Sequence, residues 1–236
     1  MLKIKTFCCL LLMTLFYCGG SCPAYGDLYW ETQVVTKGIP KGMPSNMPAT
    51  LLEQFNKTML VKNYLTPTAS RTESENTIMI IDYEAMDIFH LNTEKKTCRK
   101  VDMKMLSEDT AQLEKMPEVK FTPTGETKNI EGYECKKYTM TIMGTMSEFW
   151  LSKDVKELKE FKKLGKKLEK ITKTNRAMKQ MHAAGMSSIM NGFPVQTVMD
   201  MMGIKTTTTL KKIKKKKLSS DLFIIPEEYE LMTDRM

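Results

Sequence analysis

Two cysteines, Cys98 in "KKTCRKVD" and Cys135 in "IEGYECKKYTM", have the widest chemical range of any residues in the body of the chain. A cysteine can ligate metal, attack as a nucleophile or close a disulfide. Structural zinc takes four nitrogen or sulfur ligands, and the two histidines, His90 and His182, have no ligand-like spacing to these cysteines. A nucleophilic thiol needs a neighbour that lowers its pKa, and no histidine is close in sequence. Two thiols in an oxidising compartment most simply pair. A Cys98–Cys135 disulfide is therefore expected, with free structural thiols as the alternative.

Methionine is the compositional oddity. Of 22, all but Met1 and Met13 lie beyond residue 26, in groups such as "MPSNM" (43–47), "MKQM" (178–181) and "MDMM" (199–202). Thioethers can hold Cu(I), but methionine is also a flexible apolar filler for cores and adaptable grooves, and the helical spacing of Met178 and Met181 fits packing as well as ligation. No metal site is assigned. The lysine run "KKIKKKK" (211–217) alternates if extended, with Lys212, Lys214 and Lys216 on one side and Ile213 on the other. It reads as a solvated edge guarded against aggregation, or as a contact for anionic lipid.

Signatures of catalysis are missing from the sequence. It has no Gly-x-Ser-x-Gly, His-Glu-x-x-His or Ser-x-x-Lys, no phosphate-cradling glycine loop and no dinucleotide fingerprint. Glu227 and Glu228 are adjacent and point apart on a strand. No enzyme activity and no cofactor are expected.

Compartment follows from the first 26 residues. Lys3 and Lys5 precede an apolar run from Phe7 to Tyr17, and small residues lead to Gly26. The run is too short to anchor in a bilayer and reads as a secretory signal, leaving one β-rich domain over 27–236. The periplasm is the expected location. Lipid attachment at Cys22 is the weaker alternative, since "GGS" precedes it without the usual aliphatic residue. Without the leader lysines the formal net charge falls from +8 to +6. Outside the cytoplasm a basic surface points to anionic membranes or acidic proteins, not to nucleic acid.

Strand-like alternation marks 28–36, 57–65, 77–83, 87–91 and 96–102, as in an antiparallel meander. A short helix is expected from Ser107 to the stop at Pro117. A hairpin turning near Gly144 places Tyr138, Met140 and Ile142 on one face, opposite Phe149 or Trp150. At Asp154 the period changes. Asp154 with Glu157 forms a capping box, and Val155, Leu158, Phe161, Leu164, Leu168 and Ile171 recur every three to four residues. A helical insertion is thus expected over about 154–190, followed by a return to β from Lys205.

The motifs "TGETKNIEGYECKKY", "FWLSKD", "GFPV" and "LFIIPEEYEL", in this order, resemble the exported bacterial domain-of-unknown-function family 4412 from about residue 28 to 231. That family is similar in pattern to the lipoprotein-localisation carrier fold. The family marks fall on Arg71, Glu73, Gly132, Cys135, Tyr138, Trp150, Pro194, Phe223, Pro226 and Tyr229. Glu228 stands where glycine is usual, and Cys98 where an aromatic is usual. The resemblance implies an α+β, mainly β fold: a curved antiparallel sheet or unclosed barrel covered by helices.

Two functions fit. The first is non-catalytic binding of a hydrophobic ligand, a lipid or lipidated partner, between the sheet and a helical lid. Leu158, Phe161, Leu164, Met178, Met181 and Trp150 then contact the ligand. The second is an envelope interaction module without a cavity.

Overall fold

The computed structural model describes residues 26–43, 48–103, 121–142, 145–172 and 192–232. Alternation in the first strand-like segment produces β1 (Leu28–Gly38), and the meander follows as β2 (Lys57–Leu65), β3 (Ala69–Ser74), β4 (Thr77–Asp82), β5 (Asp87–Asn92) and β6 (Thr97–Asp102). A short helix, α1 (Ala49–Phe55), leads into β2. The second half supplies β7 (Phe121–Ile130), β8 (Tyr133–Ile142), β9 (Thr145–Ser152), helix α2 (Leu158–Thr172), β10 (Phe193–Met201), β11 (Ile204–Lys215) and β12 (Glu230–Met232).

All twelve strands form one sheet in the order β12-β6-β5-β4-β3-β2-β1-β11-β10-β9-β8-β7. Every pairing is antiparallel except the short β12–β6 contact. The sheet does not close, because β12 and β7 remain its two edges. The fold is mainly β, as the periodicities require.

Helix α2 packs through the predicted apolar stripe. Leu164 is fully buried, Leu158 and Leu168 nearly so, and Lys159, Lys163, Lys166 and Lys170 are exposed. The helix begins at Leu158, after a turn in which the Leu158 N–H donates to the Val155 carbonyl at 3.0 Å. That is four residues beyond the expected cap at Asp154. The expected helix 107–116 and the later part of the insertion, with Met178 and Met181, lie outside the described residues.

Adjacent residues on one strand sort the core into two faces. Ile81 and Ile88 pack with Leu28, Leu65, Leu164 and Leu168 on the face that carries α2, called inner here. Ile80 and Leu91 pack with Cys98 on the outer face, beneath Phe223, Ile225 and Tyr229. The Arg71 guanidinium holds this C-terminal strap, donating to the Leu222 carbonyl at 2.7 Å while its Nε meets Glu73 at 2.7 Å. Arg71, Glu73, Phe223 and Tyr229, distant in sequence, are thus parts of one clasp.

The expected disulfide does not form: Cys98 and Cys135 are both free and buried. Cys98 lies on β6 and Cys135 on β8, nine strand positions apart, or roughly 43 Å along the sheet. A disulfide requires Cα atoms within about 7 Å. The two also belong to separate core clusters. Burial, aided by the charge of Asp154, pushes the Cys135 thiol up to about 11, so the nucleophilic thiolate is scarce at neutral pH. Unreduced protein starting at Asp27 is expected to show two thiols in denaturant and almost none while folded. A thiol count of zero in denaturant would restore the disulfide.

Candidate functional site

Antiparallel register builds two rows of side chains across one face of the strands from β2 to β7. One row runs Met59, Val34, Thr208, Thr197, Phe149 and Tyr138 through β2, β1, β11, β10, β9 and β8. The next runs Thr36, Thr206, Met199, Ser147, Met140 and Phe121 from β1 to β7. On β1 they share the face of Trp30, because Trp30, Val34 and Thr36 are spaced by even steps on a strand whose pairing with β2 is unbroken. On β9 and β8, past the register shifts of β11 and β10, Phe149 and Tyr138 lie on the opposite side of the strands from Trp150, which packs with Cys135 and with Leu158 of α2. Six strands at the usual spacing make this band roughly 24 Å wide, the length of an extended long-chain acyl group.

The band differs from the packed core. Ten of its twelve residues are half-buried, and none belongs to a core cluster that includes a residue of α2. At its far side Phe121 stacks obliquely on Phe149 and Tyr138, with ring centroids 5.0 and 6.4 Å apart. Ser147 is fully buried, and its hydroxyl is without a hydrogen-bond partner among the described residues. A buried, unsatisfied hydroxyl costs about 1–3 kcal/mol, so a polar atom bound there would recover that energy.

Beside α2, three aromatic rings form a wall. Phe161 lies between Trp30 and Phe193, with centroids 6.0 and 4.9 Å away. Trp30 and Phe161 stay half-buried and touch both inner clusters. The helix therefore fills the inner face beside Trp30, and the half-buried rows, called the trough here, lie outside that packing.

The predicted contact residues separate accordingly. Leu158 and Leu164 are core, and Phe161 is the described helix residue named for binding that stays half-buried, between Trp30 and Phe193. Trp150 packs with Cys135 and Val155 and is covered by the ammonium groups of Lys128 and Lys137, each 5.7 Å from its ring. The sequence reading missed Trp30, Val34, Met199 and Ser147. Alternation in "LYWETQVVT" marked the face of the first two, while Ser147 carried no signal.

Strand β11 pairs with β1 along its length but with β10 only up to Thr209, so the lysine run has β1 on one side and no strand of the described residues on the other. A bulge at Lys211, where the register with β1 shifts, sends its neighbours to partners. Lys212 meets Glu31 at 3.3 Å, Lys214 sits 5.5 Å from the Tyr29 ring, Lys215 reaches Glu160 at 3.6 Å and Lys211 bonds Glu131 at 2.6 Å. Lys216 lies just past the strand, exposed, its N–H donating to the Asp27 carbonyl. The Tyr29 hydrogen bond, with help from Lys212, holds the Glu31 carboxyl below its usual range. Burial, followed by the charge of Glu73, pushes Tyr64 up to about 12. Lys212 and Lys214 therefore tie down the outer sheet surface.

A second concavity, of about 350 Å³, lies between the β2–β3 and β4–β5 turns and the C-terminal strap. Two of its polar side chains are engaged within the fold. Asp82 accepts from the Glu84 and Ala85 N–H groups, and Thr66 Oγ1 from Thr68 and Ala69. Among the described residues no group of His, Cys, Asp or Glu is placed to hold a metal ion.

Fold and site define an unclosed antiparallel sheet, packed by an amphipathic helix and carrying a band of half-buried side chains outside that packing. The chain belongs to the family described as Domain of unknown function (DUF4412), whose model matches residues 50–229. An uncharacterised conserved protein from Thermus thermophilus is similar at 10% identity, over 89% of this chain and 91% of that one, with a TM-score of 0.50. The Mycobacterium tuberculosis lipoprotein LppX is similar at 12% identity over 81% and 88%, TM-score 0.36. The LolA superfamily protein NE2245 from Nitrosomonas europaea is similar at 6% identity over 85% and 91%, TM-score 0.35. No curated protein matches the sequence.

Proposed function

We propose that the protein is an exported, non-catalytic carrier that holds a hydrophobic ligand, a lipid or the acyl part of a lipidated partner, in the trough formed by these rows. The observation that carries this reading is the pair of half-buried cross-strand rows, apolar at Val34, Met59, Met199 and Phe149, lying outside the core packed by α2. Threonines interleave these residues, and Ser147 offers a single buried hydroxyl. Such a surface recognises a chain with one polar end. About fifteen buried methylenes contribute roughly 12 kcal/mol. An association cost of about 4 kcal/mol then leaves micromolar affinity.

Mass spectrometry of an organic extract from the purified protein is expected to show a stoichiometric lipid. Delipidated protein should bind a fluorescent fatty acid saturably and quench Trp30, with the quench lost in Trp30→Phe. A clean extract together with no saturable binding would favour the interaction-module reading.

A further inference from the structure

The end of the sheet beyond the trough exposes apolar side chains that the carrier reading does not use. The β10–β11 turn carries Met201 and Met202, 56% and 68% exposed, and the start of β9 carries Met146 at 63%. Ile39 and Met43 follow β1 and are 42% and 45% exposed. Register and contacts bring these together. Gly38 pairs with Ile204, the Lys41 N–H donates to the Met202 carbonyl at 2.7 Å, and Ser147, next to Met146, pairs with Met199. Gly203 has φ +87°, and a Cβ there would lie 2.7 Å from the Ile39 carbonyl oxygen. The turn is therefore held tightly against the chain leaving β1, and its methionines point away from any packing role.

Charge on the same rim has one dominant sign. Lys37 and Lys205 are directly opposed across the β1–β11 ladder, and Lys41 and Lys57 flank them. All four are exposed, and none forms an ion pair among the described residues. Asp200, directly opposite Lys205 across the β10–β11 ladder, accepts from the Gly203 N–H at 3.3 Å and forms no ion pair with that lysine among the described residues. Like charges directly opposed on a ladder are destabilising, and an anion close by would relieve them. Flexible apolar tips ringed by unpaired lysines suit the headgroup boundary of a bilayer, where methionines enter the acyl layer and lysines meet phosphates.

We propose that this rim, made by the β10–β11 turn, the start of β9 and the chain after β1, docks on the surface of an anionic lipid bilayer. The proposal stands on the rim itself and holds whether or not the trough carries a ligand. The acidic-protein and self-association alternatives would use the same lysines or methionines, and the test separates them.

Flotation of the chain starting at Asp27, which keeps every described strand, should show binding to vesicles containing phosphatidylglycerol. Pure phosphatidylcholine should bind far less, and added salt should weaken binding. Met201→Asp with Met202→Asp should reduce binding at least about tenfold, while aspartate tolerates the positive φ of residue 202. Lys37→Glu is the second variant. It turns a repulsive cross-strand pair into an attractive one, so thermal stability should hold or rise while vesicle binding falls roughly fivefold or more. Equal binding to both vesicle types, or no loss in either variant, overturns the proposal. A concentration-dependent dimer that the methionine variant dissolves would reassign the rim to a contact between copies.

Discussion

Leu164→Ala is expected to lower the stability of the fold by about 3 kcal/mol, measured by urea denaturation. Leu164 is fully buried among Leu28, Leu65, Met103 and Leu168, so the lost methyl groups leave a cavity on the inner face of the sheet. Leu→Ala at such sites costs roughly 2–5 kcal/mol, more where neighbours cannot collapse. The central strands β1 and β2 form one side of this cavity and cannot move without breaking their ladder. If α2 were a lid that parts around a ligand, its inward residues would contribute little to the closed, unliganded fold. A loss below about 1 kcal/mol would return α2 to that role. Since Leu164 shares no contact cluster with the banded rows, ligand affinity should stay within about twofold of the wild type.

The sequence disclosed α2 and the meander because their periods are strong and local. Leu158, Leu164 and Leu168 repeat at helical spacing, and β2, β4, β5 and β6 fall within one residue of their predicted bounds. Strand β3, "ASRTES", was missed because its residues are small and polar, and its side chains act through partners. Ser70 meets the Tyr83 hydroxyl at 3.0 Å on the inner face, and Arg71 holds the C-terminal strap on the outer. The lysine run was legible in part. It reads as a guarded edge, and β10 does end at Thr209, before the lysines begin, but their partners Glu31, Glu131 and Glu160, none near in sequence, could not be read from the run itself. The disulfide failed on topology: cysteine count and compartment say that two thiols can pair, while strand order decides whether they meet. The trough was illegible for the same reason. Val34 and Phe149 become row neighbours only once β11 and β10 are inserted between β1 and β9.

The row argument leads to its own test, with a larger effect on binding than on folding. Val34→Asp should weaken fatty-acid binding by at least about 100-fold while costing only about 1 kcal/mol of stability. Val34 is half-buried between Met59 and Thr208. In the free protein a carboxylate there keeps much of its hydration. An acyl chain laid along the row would strip that hydration and offer no hydrogen bond in return, at a cost of several kcal/mol. Val35→Asp is the matched comparison. It changes the same residue type one position along, between Thr58 and Thr207, with the side chain on the opposite face. Both variants should unfold at similar urea concentrations, and only Val34→Asp should lose the ligand. Equal loss in both would mean that binding follows general stability of the sheet. No loss in either would place the ligand elsewhere, and with it the carrier function would have to leave the trough.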